Sequence, residues 1–184
     1  MTHYFDIKLD EGKPFKLANL MNEVYSCLHK KFWDHKELTI GLSFPEYGEH
    51  LGKVIRLHGN ETELKKLHHK SWANERATKL HFSDISPIPS AVNFAVFSRI
   101  QQTQSNSKLK RFIKRNNPSE QEIRAYKAKM FSQGLDLPYV ELISKSTSQR
   151  HRVYNKKTEV DSPSENQAFT TYGLSKSGST VPIF

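Results

Sequence analysis

Residues 4–9 read Tyr4-Phe5-Asp6-Ile7-Lys8-Leu9, and this alternation of apolar and polar side chains predicts a β-strand with one buried face. Pro14 then suits the start of a helix. From Leu17 to Phe32 the apolar residues recur every three or four positions, which is the spacing of a helix with one buried stripe. The chain therefore opens with a strand followed by a long amphipathic helix.

The next fifty residues predict two strands, a short helix and a fourth strand. The apolar positions that define them are Leu38, Ile40, Leu42 and Phe44, then Leu51, Ile55 and Leu57, then Leu64 and Leu67, and finally Leu80 and Phe82. Asn60 is placed to cap the short helix, with Glu61 and Glu63 in its first turn. The order βαββαβ is that of the ferredoxin-like unit, so we expect an α+β fold. That fold hosts many activities and by itself indicates none.

Pro87 and Pro89 mark a boundary, which divides the chain into a ferredoxin-like domain at 1–88 and a smaller basic α/β domain at 89–184. The sequence of the second part predicts an extended segment up to Ile100 and a basic helix at 108–115. A second helix follows, which Asn117 caps, Pro118 begins and Gly134 ends. Two strands at 139–143 and 151–154 and a mobile polar loop at 155–167 complete the prediction. A Ser/Thr-rich turn, residues 144–148, separates these two strands.

The basic helix carries five cations within eight residues, from Lys108 to Arg115. At 100° per residue, Leu109, Phe112 and Ile113 fall on one arc and the cations fill the rest. With 28 Lys+Arg against 19 Asp+Glu and a formal net charge of +9, the chain favours a polyanionic partner. A solvated basic face or a membrane-surface helix is the alternative, but the apolar stripe is narrow for membrane anchoring. Nucleic acid is therefore the leading partner.

The composition and the motifs of the chain also limit the class of protein to which it can belong. The single Cys27 excludes an internal disulfide and fits a reducing compartment, and no apolar run reaches the ~18 residues of a membrane span. The first residues lack the features of a signal peptide, so we expect a cytoplasmic protein. No HExxH, GxGxxG or Walker motif occurs and no acidic cluster has metal-ligand spacing, so neither metal nor cofactor is expected.

His29 is the best candidate for proton transfer. It lies about 100° from the centre of the apolar arc of the first helix, at the edge of the buried stripe. An imidazole with an ordinary pKa near 6.5 can accept or donate a proton at neutral pH. A boundary histidine without a role fits the same spacing. Likewise Ser144 could hold a hydroxyl or form a turn, and Tyr172 could orient an imidazole or only pack.

Several short motifs occur in an ordered set along the chain. They are His3-Tyr4-x-Asp6-Ile7, Leu20-Met21 with Leu28-His29, Ile40-Gly41-Leu42-Ser43-Phe44-Pro45, Ser98-Arg99-Ile100-Gln101, Leu137-Pro138, Ser144-Lys145-Ser146-Thr147 and Tyr172-Gly173-Leu174-Ser175. Together they resemble the CRISPR RNA-processing endoribonucleases of the type I-F system, in the ferredoxin-like RAMP superfamily. The resemblance extends from Met1 to Phe184.

The resemblance implies a metal-independent ribonuclease that binds the CRISPR repeat hairpin. Such an enzyme cuts precursor RNA at the 3′ base of the stem by attack of a ribose 2′-OH, leaving a 2′,3′-cyclic phosphate and a 5′-OH. His29 would then accept the proton, Ser144 would hold the ribose and Tyr172 would position His29. The enzyme would keep its product and join other subunits of the type I-F interference complex.

RNA recognition carries over from the same resemblance. Arg99 and Gln101 match an Arg-x-Gln pair that reads purine edges in the major groove. The basic helix would lie in that groove with Lys108, Arg111, Lys114 and Arg115 toward the RNA, while Ser146 would line the cleavage site. Where the family can place an aromatic ring under the terminal base pair, this chain has His151, or Arg150 if the register slips. A non-catalytic hairpin-binding subunit is the alternative to the enzyme.

Overall fold

The computed structural model describes residues 1–10, 14–35, 39–90, 92–101, 106–132, 136–144 and 148–184, and these form two antiparallel sheets flanked by helices. The first sheet contains β1 (His3–Leu9), β2 (Gly41–Ser43), β3 (Val54–Gly59), β4 (Leu80–Phe82) and the short β5 (Ser86–Pro87). Its order is β2-β3-β1-β4, with β5 also paired to β1. Two helices, α1 (Pro14–Asp34) and α2 (Glu61–Leu67), complete the βαββαβ order. The predicted ferredoxin-like α+β class is confirmed.

Two strand boundaries differ from the sequence prediction. β2 covers only three residues, and β3 begins at Val54, so Leu51 is buried from a loop and not from a strand. The predicted cap of α2 is confirmed, because the Asn60 Oδ1 accepts the Glu63 backbone N–H at 2.8 Å. Leu38, expected in the second strand, lies outside the described residues.

A 3₁₀ segment at Lys70–Lys79 was not predicted. It contains Asn74 with φ 53, a left-handed backbone conformation that interrupts the helical geometry. Trp72 is buried there and its indole N–H donates to the Leu67 carbonyl at 3.0 Å. A polar stretch with one large buried ring lacks the periodicity on which sequence prediction depends.

The second sheet consists of β6 (Asn93–Ile100), β7 (Tyr139–Ile143), β8 (Arg150–Val160) and β9 (Val181–Ile183), in the order β7-β8-β6-β9. The prediction of a polar loop from Asn155 is wrong for residues 155–160, because β8 continues through them and pairs with β6 from Phe94↔Val160 to Ile100↔Tyr154. Pairing with β6 gives the backbone of these residues hydrogen-bond partners whatever their side chains are.

Two helices, α3 (Asn106–Asn116) and α4 (Glu120–Ser132), lie between β6 and β7. Asn117 does not cap α4; it ends α3 with φ 43, and its N–H donates to the Ile113 carbonyl at 3.1 Å. Ser119 is the cap, because its hydroxyl accepts the Glu122 N–H and the Glu122 carboxylate accepts the Ser119 N–H. Gly134, the expected end of α4, lies outside the described residues.

The buried apolar residues of both sheets belong to one cluster, which α1 covers with Leu20, Val24 and Leu28. The first sheet ends at Pro87 and the second begins at Asn93. The division into domains at residue 88 stays a prediction. Within the described part of the chain, no helix is both long and apolar enough to span a membrane.

Candidate catalytic site and nucleic-acid cleft

His29 lies on α1 with its imidazole held from the C-terminal region of the chain. Its Nδ1 is 2.7 Å from the carbonyl oxygen of Thr171. Since a carbonyl can only accept, Nδ1 must carry the proton of this hydrogen bond. In the neutral ring the lone pair is therefore on Nε2, which makes Nε2 the atom that can accept a proton from another group.

The phenol ring of Tyr172 stacks on this imidazole, with centroids 4.2 Å apart and planes 3° apart. The hydroxyl of the buried Tyr25, also on α1, donates to the Tyr172 carbonyl at 2.8 Å. Burial raises the pKa of Tyr25 far above its ordinary value, so this hydroxyl stays a donor throughout the physiological range. The stack and the two hydrogen bonds to residues 171 and 172 fix the turn against α1.

Gly173 locks the same turn onto the first sheet. Its carbonyl accepts the Leu42 N–H at 2.8 Å, and its φ of +68 is a conformation that side chains rarely adopt. A Cβ on this residue would lie 2.4 Å from the Leu42 Cγ and 3.0 Å from the Phe32 ring. The close approach of the turn to β2 thus requires glycine here.

Arg99 connects this turn to the surface. Its guanidinium carbon is 4.8 Å from the centroid of the Tyr172 ring. Since His29 covers one face of that ring, Arg99 occupies the other, and Tyr172 lies between the imidazole and the guanidinium. Among the described residues the buried Nε of Arg99 has no hydrogen-bond partner. A side chain that is oriented by stacking retains donors for a ligand.

An open cleft of about 620 Å³ begins at Arg99, and its walls come from β6, β7 and β8. It is lined by Arg99, Gln101, Glu141, Arg150, His151, Arg152 and Tyr154. Three arginines against one carboxylate give the cleft a net positive charge, which suits a polyanion. The structure therefore brings together three of the residues selected from the sequence, Arg99, Gln101 and His151.

The register of the second sheet places His151 relative to Arg99. Arg99 pairs with Asn155 across β6 and β8, and directly paired residues share a face. Two-residue alternation along β8 puts His151 on that same face and Arg150 on the opposite one. Of the two positions considered for stacking, His151 is the one on the side of Arg99.

Ser144 follows β7, which packs against α1. The Asn22 side-chain oxygen on α1 accepts the Glu141 N–H at 2.8 Å, so the strand that carries Ser144 is attached to the helix that carries His29. The Ser144 backbone pairs with Gln149 and Ser148 across a turn. The role of Ser144 stays a prediction, and Ser146 lies outside the described residues.

The basic helix α3 packs on α4 through part of its apolar stripe. Leu109 is buried, and the ring of Phe112 stacks on that of Tyr126 with centroids 5.7 Å apart. The cations Lys108, Arg111, Lys114 and Arg115 are exposed. The helix thus has the arrangement expected for binding phosphates, with one face docked on the protein.

Sequence reasoning missed Glu141, Arg152 and Tyr154 as cleft residues. The repeated basic residues of Arg150-His151-Arg152 were a signal, but only the pairing of β7 with β8 places Glu141 beside them. The contacts of the Thr171 carbonyl and the Asn22 amide could not be predicted, because no sequence motif indicates them. Among the described residues, no group of three or more His, Cys, Asp or Glu side chains is placed to hold a metal ion.

Comparison with known proteins identifies relatives over the whole chain. The family model described as CRISPR-associated protein (Cas_Csy4) matches residues 4–184. The chain is 32% identical over 188 residues to the CRISPR-associated endonuclease Cas6/Csy4 of Pseudomonas aeruginosa strain UCBPP-PA14, with 100% of each chain covered. It is 26% identical over 185 residues to the protein of the same description from Escherichia coli strain UTI89, again with 100% of each covered.

Proposed function

Because this chain belongs to the CRISPR-associated Csy4 family, we propose that it is an endoribonuclease that processes precursor CRISPR RNA. It binds the hairpin of the CRISPR repeat, cuts at the 3′ base of the stem and keeps the hairpin product. Other subunits of the type I-F interference complex are its further partners. The relatives' description as endonucleases supports the nuclease activity, and the rest of the proposal depends on the site.

One observation carries the proposal: a continuous series of contacts joins the positive cleft to the candidate base. Arg99 lines the cleft and stacks on Tyr172, and Tyr172 stacks on His29. An RNA stem that pairs a base edge with Arg99 is thereby held at a fixed distance from the His29 imidazole. Positioning of this kind can account for a large part of a rate enhancement.

The reaction needs a proton acceptor and correct geometry. The ribose 2′-oxygen upstream of the scissile phosphate gives its proton to His29 Nε2 and forms a bond to phosphorus, while the bond from phosphorus to the 5′-oxygen breaks. The 5′-oxygen takes a proton from solvent, which leaves a 2′,3′-cyclic phosphate and a 5′-OH. Ser144 holds the ribose, and a metal ion has no step in this scheme. General-base action contributes about 10²–10⁴-fold.

The cleft and α3 divide the recognition of the hairpin. Arg99 and Gln101 contact purine edges near the base of the stem, where a side chain can enter the otherwise deep A-form groove. His151 stacks on the terminal base pair from the same face as Arg99. The exposed cations of α3, among them Lys108, Arg111, Lys114 and Arg115, bind phosphates along the groove.

The test is cleavage of a type I-F repeat RNA in EDTA. We expect a cut at the 3′ base of the stem, a cyclic phosphate at the new 3′ end and no cut in RNA with a single 2′-deoxy substitution upstream of that site. A cut in the deoxy RNA, or a requirement for a metal ion, would contradict the chemistry. Tight hairpin binding without any cleavage would identify a non-catalytic binding subunit.

A further inference from the structure

Glu141 is an unexpected residue for an RNA cleft, because its carboxylate carries the same sign of charge as the phosphates of RNA. It is one of the cleft-lining residues and its side chain is 28% exposed. Like charges in such proximity oppose binding. Its presence in a positive cleft therefore calls for a physical explanation.

The Glu141 carboxylate lies between two arginines of the cleft. One oxygen accepts from Arg150 Nη1 at 3.1 Å, and the other lies 3.7 Å from Arg152 Nε. Arg152 also lies over the ring of Tyr139, 4.3 Å from its centroid. The carboxylate thus lies between two arginines, whose guanidinium groups can pair with a phosphate as well as with a carboxylate.

We infer that Glu141 is a specificity residue that makes the cleft discriminate against RNA lacking the correct hairpin. An RNA held only through its phosphates must compete with Glu141 for Arg150 and Arg152, and it meets the full opposing charge. A stem whose base edges pair with Arg99 and Gln101 is anchored through Arg99 on the opposite face of the sheet from Glu141, so it depends less on these two arginines. This inference rests on the proposed function, since it assumes that the cleft binds a hairpin.

Glu141 also has an effect that favours RNA binding, because its carboxylate orients the two arginines before RNA binds. The side chain of Arg150 is 74% exposed and that of Arg152 is 47% exposed. Ion pairs at such exposed positions contribute little, so the benefit of prior orientation is small. Repulsion between a carboxylate and a phosphate inside a cleft is the larger effect, and it sets the sign of the prediction.

Glu141→Gln removes the charge and keeps an oxygen that can accept from Arg150. The backbone hydrogen bond to Asn22 does not involve the altered side chain. Affinities are measured for the repeat hairpin, with a 2′-deoxy substitution that blocks cleavage, and for a hairpin of equal length with a scrambled stem. We expect the scrambled hairpin to bind about 3- to 10-fold tighter to the variant, and the repeat hairpin to change by about 3-fold or less.

Glu159→Gln is the matched control, because Glu159, on the neighbouring strand β8, also pairs with a cation, Lys157, but does not line the cleft. Glu141→Asp keeps the charge and should keep the discrimination. Weaker binding of both hairpins by Glu141→Gln, an unchanged ratio of affinities, or an equal effect of Glu159→Gln would overturn the inference. Preference of the wild type for the repeat hairpin is a separate result, and its absence would overturn the proposed function instead.

Discussion

The imidazole of His29 and the phenol ring of Tyr172 stack on each other, with centroids 4.2 Å apart and planes 3° from parallel. The hydrogen bond from His29 Nδ1 to the Thr171 carbonyl joins residues that are 142 positions apart in the chain. The stack limits rotation of the imidazole about its side-chain bonds, and the Thr171 carbonyl fixes which nitrogen carries the proton. Together they leave Nε2 as the ring nitrogen that can accept a proton. The ring of Tyr172, more than its hydroxyl, is the part that these contacts use.

Replacement of Tyr172 tests that distinction. Tyr172→Ala removes the support of both His29 and Arg99, and we expect cleavage about 100-fold slower and hairpin binding about 10-fold weaker. Tyr172→Phe keeps the ring and should stay within about 3-fold of wild type in both measurements. Single-turnover rates and equilibrium affinities separate the two effects. A Phe variant as slow as the Ala variant would assign the role to the hydroxyl.

Gly173→Ala should disturb the turn that holds His29. The new Cβ would adopt a left-handed φ and lie 2.4 Å from the Leu42 Cγ, so we expect the free energy of unfolding to fall by about 2–4 kcal/mol. Cleavage should slow as well, because residues 171 and 172 must shift. Denaturant unfolding and single-turnover cleavage measure the two consequences.

Gly178→Ala is the control for backbone strain alone, since Gly178 has φ +84 but nothing within 4 Å of an added Cβ. It should cost about 1–2 kcal/mol and leave the cleavage rate unchanged. Equal effects of the two alanines on cleavage would mean that packing against Leu42 does not position the site.

The cations of α3 should supply affinity that does not depend on sequence. Replacing both Lys114 and Arg115 by Ala should weaken binding of repeat and scrambled hairpins alike, and lower the slope of log affinity against log salt by about 1–2. The cleavage rate at saturating enzyme should change little. Arg124→Ala on α4, where Arg124 pairs with Glu120 at 3.4 Å, serves as the control. A loss confined to the repeat hairpin would indicate base reading by α3.

A buried histidine outside the site predicts a pH-dependent stability. His58 is fully buried, and desolvation, with a smaller contribution from Arg56, lowers its pKa from 6.5 to about 3. Below pH 6.5 the unfolded chain binds a proton that the folded chain does not, so stability falls as pH falls. By pH 4 this loss should reach about 3 kcal/mol.

Chemical unfolding between pH 7 and pH 4 measures this effect. His58→Gln should flatten the pH dependence of the unfolding free energy whatever its effect at pH 7, while the exposed His50→Gln should keep the wild-type slope. Equal slopes in all three proteins would show that His58 does not determine the acid sensitivity.

Local periodicity was enough to predict the first sheet and its helices. Phe5, Ile7 and Leu9 alternate along β1 and are all buried, and the apolar stripe from Leu20 to Leu28 covers the core. β9 was not predicted as a strand, because Pro182 has no backbone N–H to donate to a neighbouring strand and three residues are too few to show an alternating pattern. The polar residues 155–160 form a strand because β6 pairs with them, which is information from another part of the chain.

Part of the candidate site was also predicted, but from a family resemblance and not from periodicity. Arg99, Gln101 and His151 were selected through motifs that resemble a family, and the structure places them in one cleft. Glu141 was missed because its significance arises only from its pairing opposite Arg152, 11 residues further along the chain. Contacts made by backbone atoms, such as the Thr171 carbonyl on His29, are invisible in a sequence.

The most direct test of the central claim compares wild type with His29→Ala on the same repeat RNA in EDTA, with single-turnover cleavage and hairpin affinity measured side by side. If His29 Nε2 accepts the 2′-OH proton, cleavage should slow by about 10²–10⁴-fold while hairpin affinity changes by less than about 3-fold. Cleavage by the alanine variant at the wild-type rate, with the same product ends, would contradict the account.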